Sequence, residues 1–132
     1  MENVAVRLER NTSLKDAPDV ETTVNLKVIT NLLSNKKGRD IIILELFRLT
    51  SFTDYFIICT GENAMHLNAM AEDVELNLRD SGKRPISVNG QGFGQWILMD
   101  YNDIIVHIFD EATRKRYNLE ALWLDANRIE LI

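Results

Sequence analysis

Apolar residues recur along this chain at helical spacing in some stretches and run almost unbroken in others, and that contrast marks out its elements. Val24, Val28, Ile29, Leu32 and Leu33 follow a helical period, with Thr22 or Thr23 placed to cap the start and Lys36-Lys37-Gly38 suited to the stop. Residues 40–46 and 54–60 are short, nearly continuous apolar runs, the signature of strands covered on both faces. A second helix is expected over residues 63–81, where Leu67, Met70, Ala71, Val74 and Leu78 form one stripe and Asn68, Glu72, Glu75 and Arg79 the wet one. Gly82 and Pro85 punctuate its end. A short strand at 86–88 precedes Gly90, Gly92 and Gly94, and two strands at 95–100 and 103–109 follow. Residues 111–127 read as helical, with a break near Tyr117-Asn118. The order α-β-β-α-β-β-β-α predicts one α/β domain over residues 22–132, a mixed sheet of about five strands with flanking helices. Residues 1–21 lack periodicity and are expected to form a mobile tail.

A tight turn at Asp100-Tyr101-Asn102-Asp103 fixes which side chains share a face, because side chains alternate along strands and opposed residues lie together. With Tyr101 and Asn102 in the turn, Leu98 opposes Ile105 and Trp96 opposes His107; moving the turn by one residue changes the pairs but not the faces. One face therefore carries Trp96, Leu98, Asp100, Ile105, His107 and Phe109. The other carries Ile97, Met99, Tyr101, Ile104, Val106 and Ile108. The second set is core. The first mixes aromatic, His and Asp side chains, as recognition surfaces do. On residue types alone the plainer reading is favoured, an amphipathic sheet face covered by the C-terminal helix.

Composition narrows the function classes. With 132 residues, 45% of them hydrophobic and 27% charged, the chain has an ordinary globular make-up. The net charge of −5 argues against sequence-specific or backbone-driven binding to nucleic acid as the main activity. Its longest apolar run, Ile41-Ile42-Ile43-Leu44, falls far short of the roughly 20 residues that cross a bilayer, so no membrane partner is expected. The N-terminal residues lack the apolar core of a signal peptide, and the expected location is the cytoplasm. The single cysteine, Cys59, rules out an internal disulfide and reads as a buried thiol.

No catalytic constellation assembles in the sequence. Gly90-Gln91-Gly92-Phe93-Gly94 lacks a Walker-type ending and precedes a strand, not a helix. Asp100 and Asp103 have no third carboxylate beside them, and His66 and His107 have no partners at metal-ligand spacing. Ser51 and Ser87 stand outside any nucleophile elbow. Arg114-Lys115-Arg116 reads as a solvated helix face. No metal, cofactor or catalytic residue is expected.

The runs Thr53-Asp54-Tyr55-Phe56-Ile57-Ile58-Cys59-Thr60-Gly61, Trp96-Ile97-Leu98-Met99-Asp100-Tyr101-Asn102-Asp103, Ile105-Val106-His107-Ile108-Phe109 and Arg116-Tyr117-Asn118-Leu119-Glu120-Ala121-Leu122-Trp123 together resemble the Iojap or ribosomal silencing factor (RsfS) family, in its order and spacing. The resemblance covers about Val24 to Leu131. The family's Glu-Gly is here Asn89-Gly90, and its Asp-Tyr-Gly-Asp is Asp100-Tyr101-Asn102-Asp103, where Asn keeps the turn. The resemblance implies a non-enzymatic protein that binds the universal large-subunit ribosomal protein numbered fourteen, obstructs joining of the small subunit and represses translation when nutrients are scarce. It implies docking through Trp96, Leu98, Asp100 and Tyr101, with His107 and Phe109 nearby, and support from Asp54, Tyr55, Arg116, Tyr117, Glu120 and Trp123. It turns the preference from a merely covered Trp96 face to a docking one. The competing readings are a nucleotidyltransferase-like enzyme using the Gly-rich turn with Asp100 and Asp103, and a homodimer that uses the Trp96 face on itself.

Overall fold

The computed structural model describes residues 17–130. Of the 21 residues read as a tail, the first 16 lie outside the described residues, and Val20 and Glu21 already belong to a helix. That helix, α1 (Val20–Asn35), begins after Asp19 and not at the threonines. Thr22 faces inward and its hydroxyl donates to the Asp103 carboxylate, so it is taken up by a tertiary bond. The helix ends in a Schellman pair, Lys37 N–H to Ser34 and Gly38 N–H to Leu33. The left-handed position is Lys37 (φ 65°), one residue before the expected glycine. Gly38 is required for closeness instead, since a Cβ there would meet Cys59 Sγ and the Leu33 carbonyl.

The strands are β1 (Arg39–Glu45), β2 (Tyr55–Thr60), β3 (Ser87–Asn89), β4 (Trp96–Asp100), β5 (Ile104–Phe109) and β6 (Asn127–Glu130). They form one mixed sheet in the order β3-β4-β5-β2-β1-β6, in which β2 and β5 run parallel and every other pair antiparallel. The α/β class stands. The end of the chain does not: residues 111–127 form α3 (Glu111–Tyr117) and a single turn α4 (Leu119–Leu122), and the chain then returns to the sheet as β6 against β1. The break falls at Asn118, which sits in the left-handed region (φ 45°) and caps α4 by accepting from Ala121 N–H.

α1 and α2 (Ala64–Asp80) cover one face of the sheet. All five stripe positions of α2, Leu67, Met70, Ala71, Val74 and Leu78, are buried, and Asn63 caps its start through His66 N–H. The Leu, Met and Val side chains among them contribute about 1.5–3 kcal/mol each when fully buried. β2 and β5 are buried at every position because they occupy the middle of the sheet with side chains on both faces. The opposite face carries Ile42, Leu44, Phe56, Ile58, Leu98, Ile105 and Phe109, and among the described residues no long helix lies on it. Phe52 and the inward residues of the C-terminal segment, Leu119, Trp123 and Ala126, are what pack there.

Candidate functional site

The β4–β5 hairpin turns through Asn102 (φ 76°) and Asp103, while Tyr101 N–H still donates to the Ile104 carbonyl. The turn is thus one residue later than expected, and the pairs become Trp96 with Phe109, Leu98 with His107 and Asp100 with Ile105. The two faces survive the change. Ile97, Met99, Tyr101, Ile104, Val106 and Ile108 join the helix-covered core, and Leu98, Ile105 and Phe109 join the opposite cluster with Trp96 packed beside them.

Trp96 organises the open face. Its ring lies 4.7 Å from Phe109, 4.7 Å from Tyr117 and 5.8 Å from His107, centroid to centroid. The indole N–H donates to His107 Nδ1 at 3.1 Å. His107 is buried, its ring at 4.5 Å edge-on to Phe56, and its other nitrogen, Nε2, has no hydrogen-bond partner among the described residues. Burial alone pushes the imidazole pKa down from 6.5 to about 3. Phe56 in turn meets Trp123 at 6.1 Å, edge to face. A chain of aromatic rings therefore runs from exposed Tyr117 through Trp96 and His107 to Trp123 in the C-terminal segment.

The residues expected to dock are brought together only in part. Trp96 is half-buried and reaches solvent, whereas Leu98, Asp100, His107 and Phe109 on the same face are buried. Asp100 accepts from Asn102 N–H at 2.7 Å and so shapes the turn. Tyr101 lies on the opposite, helix-facing side, buried, with burial first and Glu75 second raising its hydroxyl pKa. Asp54 and Tyr55 are buried at the start of β2; the Asp54 carbonyl accepts from Leu46 N–H, and Tyr55 packs against Phe47 at 5.8 Å. Arg116 is exposed and lies over the Tyr117 ring at 5.5 Å.

Sequence reasoning missed Arg114. Read as one of three solvated cations, it is 11% exposed in its side chain and donates four hydrogen bonds to three acceptors: two to Glu120 Oε2 (3.2 and 3.1 Å), one to the Asp40 carbonyl (2.7 Å) and one to Thr60 Oγ1 (2.8 Å). It ties α3, α4, β1 and β2 together. The available signal was position: Asp110 caps α3 through Thr113 N–H, which puts Thr113 inward and Arg114 beside it, with Lys115 and Arg116 turned out.

The features considered for catalysis have structural work. Asp103 accepts from Thr22 and pairs with Lys83 at 3.4 Å. The glycine-rich loop rests on the start of α2, with Gly92 N–H donating to Asn68 Oδ1 at 3.2 Å and Gly94 against Ala64. Among the described residues no three His, Cys, Asp or Glu side chains are grouped to hold a metal ion. No described helix is long and apolar enough to cross a membrane.

Residues 19–132 match the family described as ribosomal silencing factor during starvation, RsfS. The chain belongs to this family. It is 35% identical over 97 residues to the ribosomal silencing factor RsfS of Chromobacterium violaceum, covering 74% of this chain and 80% of that one. A crystal structure of a C. violaceum protein superposes with a TM-score of 0.76 at 34% identity, over 79% of this chain and 87% of that one. The mouse protein named mitochondrial assembly of ribosomal large subunit protein 1 is 26% identical over 110 residues, 81% of this chain and 48% of its own length. The family match thus carries the ribosomal silencing factor identity.

Proposed function

We propose that this family member docks on a protein of the large ribosomal subunit, the universal large-subunit protein numbered fourteen, in the cytoplasm. It thereby keeps the small subunit from joining and lowers translation when nutrients are scarce. The observation that carries the reading is the surface aromatic cluster in which Trp96, half exposed, is locked between Phe109, Tyr117 and His107. A large ring held in one orientation loses little freedom on binding, and such anchors dominate protein interfaces.

The remaining expected residues act beneath this anchor. Leu98, His107 and Phe109 set the ring's height and tilt, and Asp100 and Tyr101 hold the hairpin that carries it. The mechanism is steric exclusion: a folded domain occupies space the joining subunits need, and no bond is made or broken. A chain of net charge −5 suits this role because its dock is a protein patch and its acidity opposes close approach of RNA phosphates.

The test is sedimentation of the tagged full chain in cell lysate. Co-migration with free large subunits, absence from joined ribosomes and a fall in joined ribosomes on adding the chain are expected. Co-migration with joined ribosomes, or none with large subunits, overturns the reading.

A further inference from the structure

The sheet face opposite α1 and α2 is closed by a segment with little apolar packing of its own. Between α3 and β6, residues 118–126 cross the face as a strap whose only helical part is the four-residue α4, with no buried residue. Three residues reach down, Leu119, Trp123 and Ala126, and each is only half-buried. Leu122 and Leu124 point away, 72% and 82% exposed. An open cleft of about 450 Å³ lies beside the start of the strap, lined by Asn118, Glu120 and Arg114 together with Asp40 and Thr60. A smaller cleft of about 160 Å³ near its end is lined by Asp125 and Asn127 with Phe47 and Leu49. Few apolar contacts and much exposed backbone are the marks of a segment that opens well below the global unfolding energy.

What lies beneath is not an ordinary core. His107 Nε2 is buried with no hydrogen-bond partner among the described residues, next to Phe56, on which Trp123 rests. A buried polar group without a partner disfavours the closed state and would gain one from water or from another chain. Among the described residues, the strong polar tie against opening is the pair of bonds from Arg114 to Glu120 in the strap, with Arg114 itself bound to the sheet at the Asp40 carbonyl and Thr60 Oγ1. Asn118, in the left-handed region that Asn tolerates, marks where the strap leaves α3.

We propose that residues 118–126 form a latched cover, fastened by Arg114–Glu120, whose opening lifts Trp123 and presents Phe56, Trp96, Leu98 and His107 to the protein partner. This rests on the docking reading above and assigns its regulation. The partner chemistry follows from the floor of the site: an apolar or aromatic side chain to replace Trp123 over Phe56, and a carbonyl or carboxylate oxygen to accept from His107 Nε2. Binding is then weakened by the fraction of molecules that remain closed, so loosening the latch strengthens it.

Hydrogen exchange and binding to purified large subunits, both on the full chain, test this. In Arg114→Gln and in Glu120→Ala, amides of residues 119–126 should exchange on the order of tenfold faster while β2 and β5 stay protected, and both variants should bind on the order of three- to tenfold tighter. Should Arg114→Gln lose protection in β2 and β5, Glu120→Ala carries the test, because it leaves Arg114 bound to Asp40 and Thr60. Faster strap exchange with equal or weaker binding overturns the proposal, the strap then being part of the docking surface. Unchanged strap exchange in both variants overturns it too, by removing the latch. If the wild type and the latch variants alike ignore large subunits while strap exchange responds, the docking reading has failed, and that failure is distinct from the other two.

Discussion

The indole N–H of Trp96 donates to Nδ1 of His107 across two neighbouring strands. This one bond fixes the tautomer. Nδ1 is the acceptor, so the proton sits on Nε2, which is buried without a hydrogen-bond partner among the described residues. A second proton would displace the Trp96 bond and place a charge among Phe56, Trp96 and Phe109, which is why burial holds the imidazole pKa near 3.

A pH dependence follows with a definite sign. The folded-state value, about 3, lies below the unfolded 6.5, so the unfolded chain takes up the proton first as pH falls. The contribution of His107 is complete above about pH 6.5 and is lost on the way down to about pH 3, by up to tenfold in the unfolding equilibrium per pH unit. Urea midpoints of the wild type at pH 7, 6 and 5 should therefore fall more steeply than those of His107→Leu. Parallel curves for the two proteins would rule out this role for His107.

Trp96 is expected to matter twice. Trp96→Ala removes the anchor and should weaken binding to large subunits by about 2 kcal/mol or more, roughly thirtyfold. It also strips the ring that packs on Phe109 and Tyr117, so a stability loss of about 2–3 kcal/mol accompanies it. Trp96→Phe separates the effects in part, by keeping an aromatic ring at the position while losing the N–H to His107 and some of the ring area. Binding measured at equal folded fraction should order wild type, Trp96→Phe, Trp96→Ala; equal affinities across the three would remove Trp96 from the interface.

The elements that read clearly in the sequence are those whose pattern is set by a large buried layer. The α2 stripe is legible because five inward positions at helical spacing meet one flat sheet. The hairpin faces are legible because a one-residue shift of the turn moves each pairing by two, which preserves parity even when register is misjudged. β6 is not legible, since Asn127-Arg128-Ile129-Glu130 holds a single apolar residue and is a strand only because β1 offers it an edge. Parity also places Trp96 and His107 on one face without saying what covers them. That depends on Leu119, Trp123 and Ala126, which keep helical spacing although the helix stops at Leu122, and on Arg114, which is distinguished from its basic neighbours only by where α3 begins.

Two glycines with the same backbone angle should respond differently to alanine. Gly82 (φ +87°) ends α2 in open space, so Gly82→Ala incurs only the left-handed penalty, about 1–2 kcal/mol. Gly90 (φ +88°) aims its missing Cβ at the backbone carbonyl of Trp96, which no rotamer can move aside. Gly90→Ala should therefore cost more than ~3 kcal/mol or prevent folding, with the damage centred on β3 and β4. Urea denaturation of the two variants side by side measures the difference, and similar losses would show that the approach to Trp96 is not tight.

Cys59 supplies an internal probe of how the sheet opens. It lies in β2 at the centre of the sheet, buried, with Met70 Sδ at 3.9 Å. Burial pushes the thiol up to about 12 against a weaker downward pull from Arg114, so the reactive thiolate is scarce at pH 8, roughly one molecule in ten thousand. Access is closed as well, because Gly38 leaves no gap over the sulfur. Labelling by a disulfide reagent should thus be slow in the native protein and rise with urea in step with global unfolding. Loosening the strap by Glu120→Ala should leave it unchanged, since the strap lies on the face opposite to the one Cys59 shares with α2. Labelling that accelerates in Glu120→Ala would mean that the two faces open together, and the strap would then be a part of the core and not a cover over it.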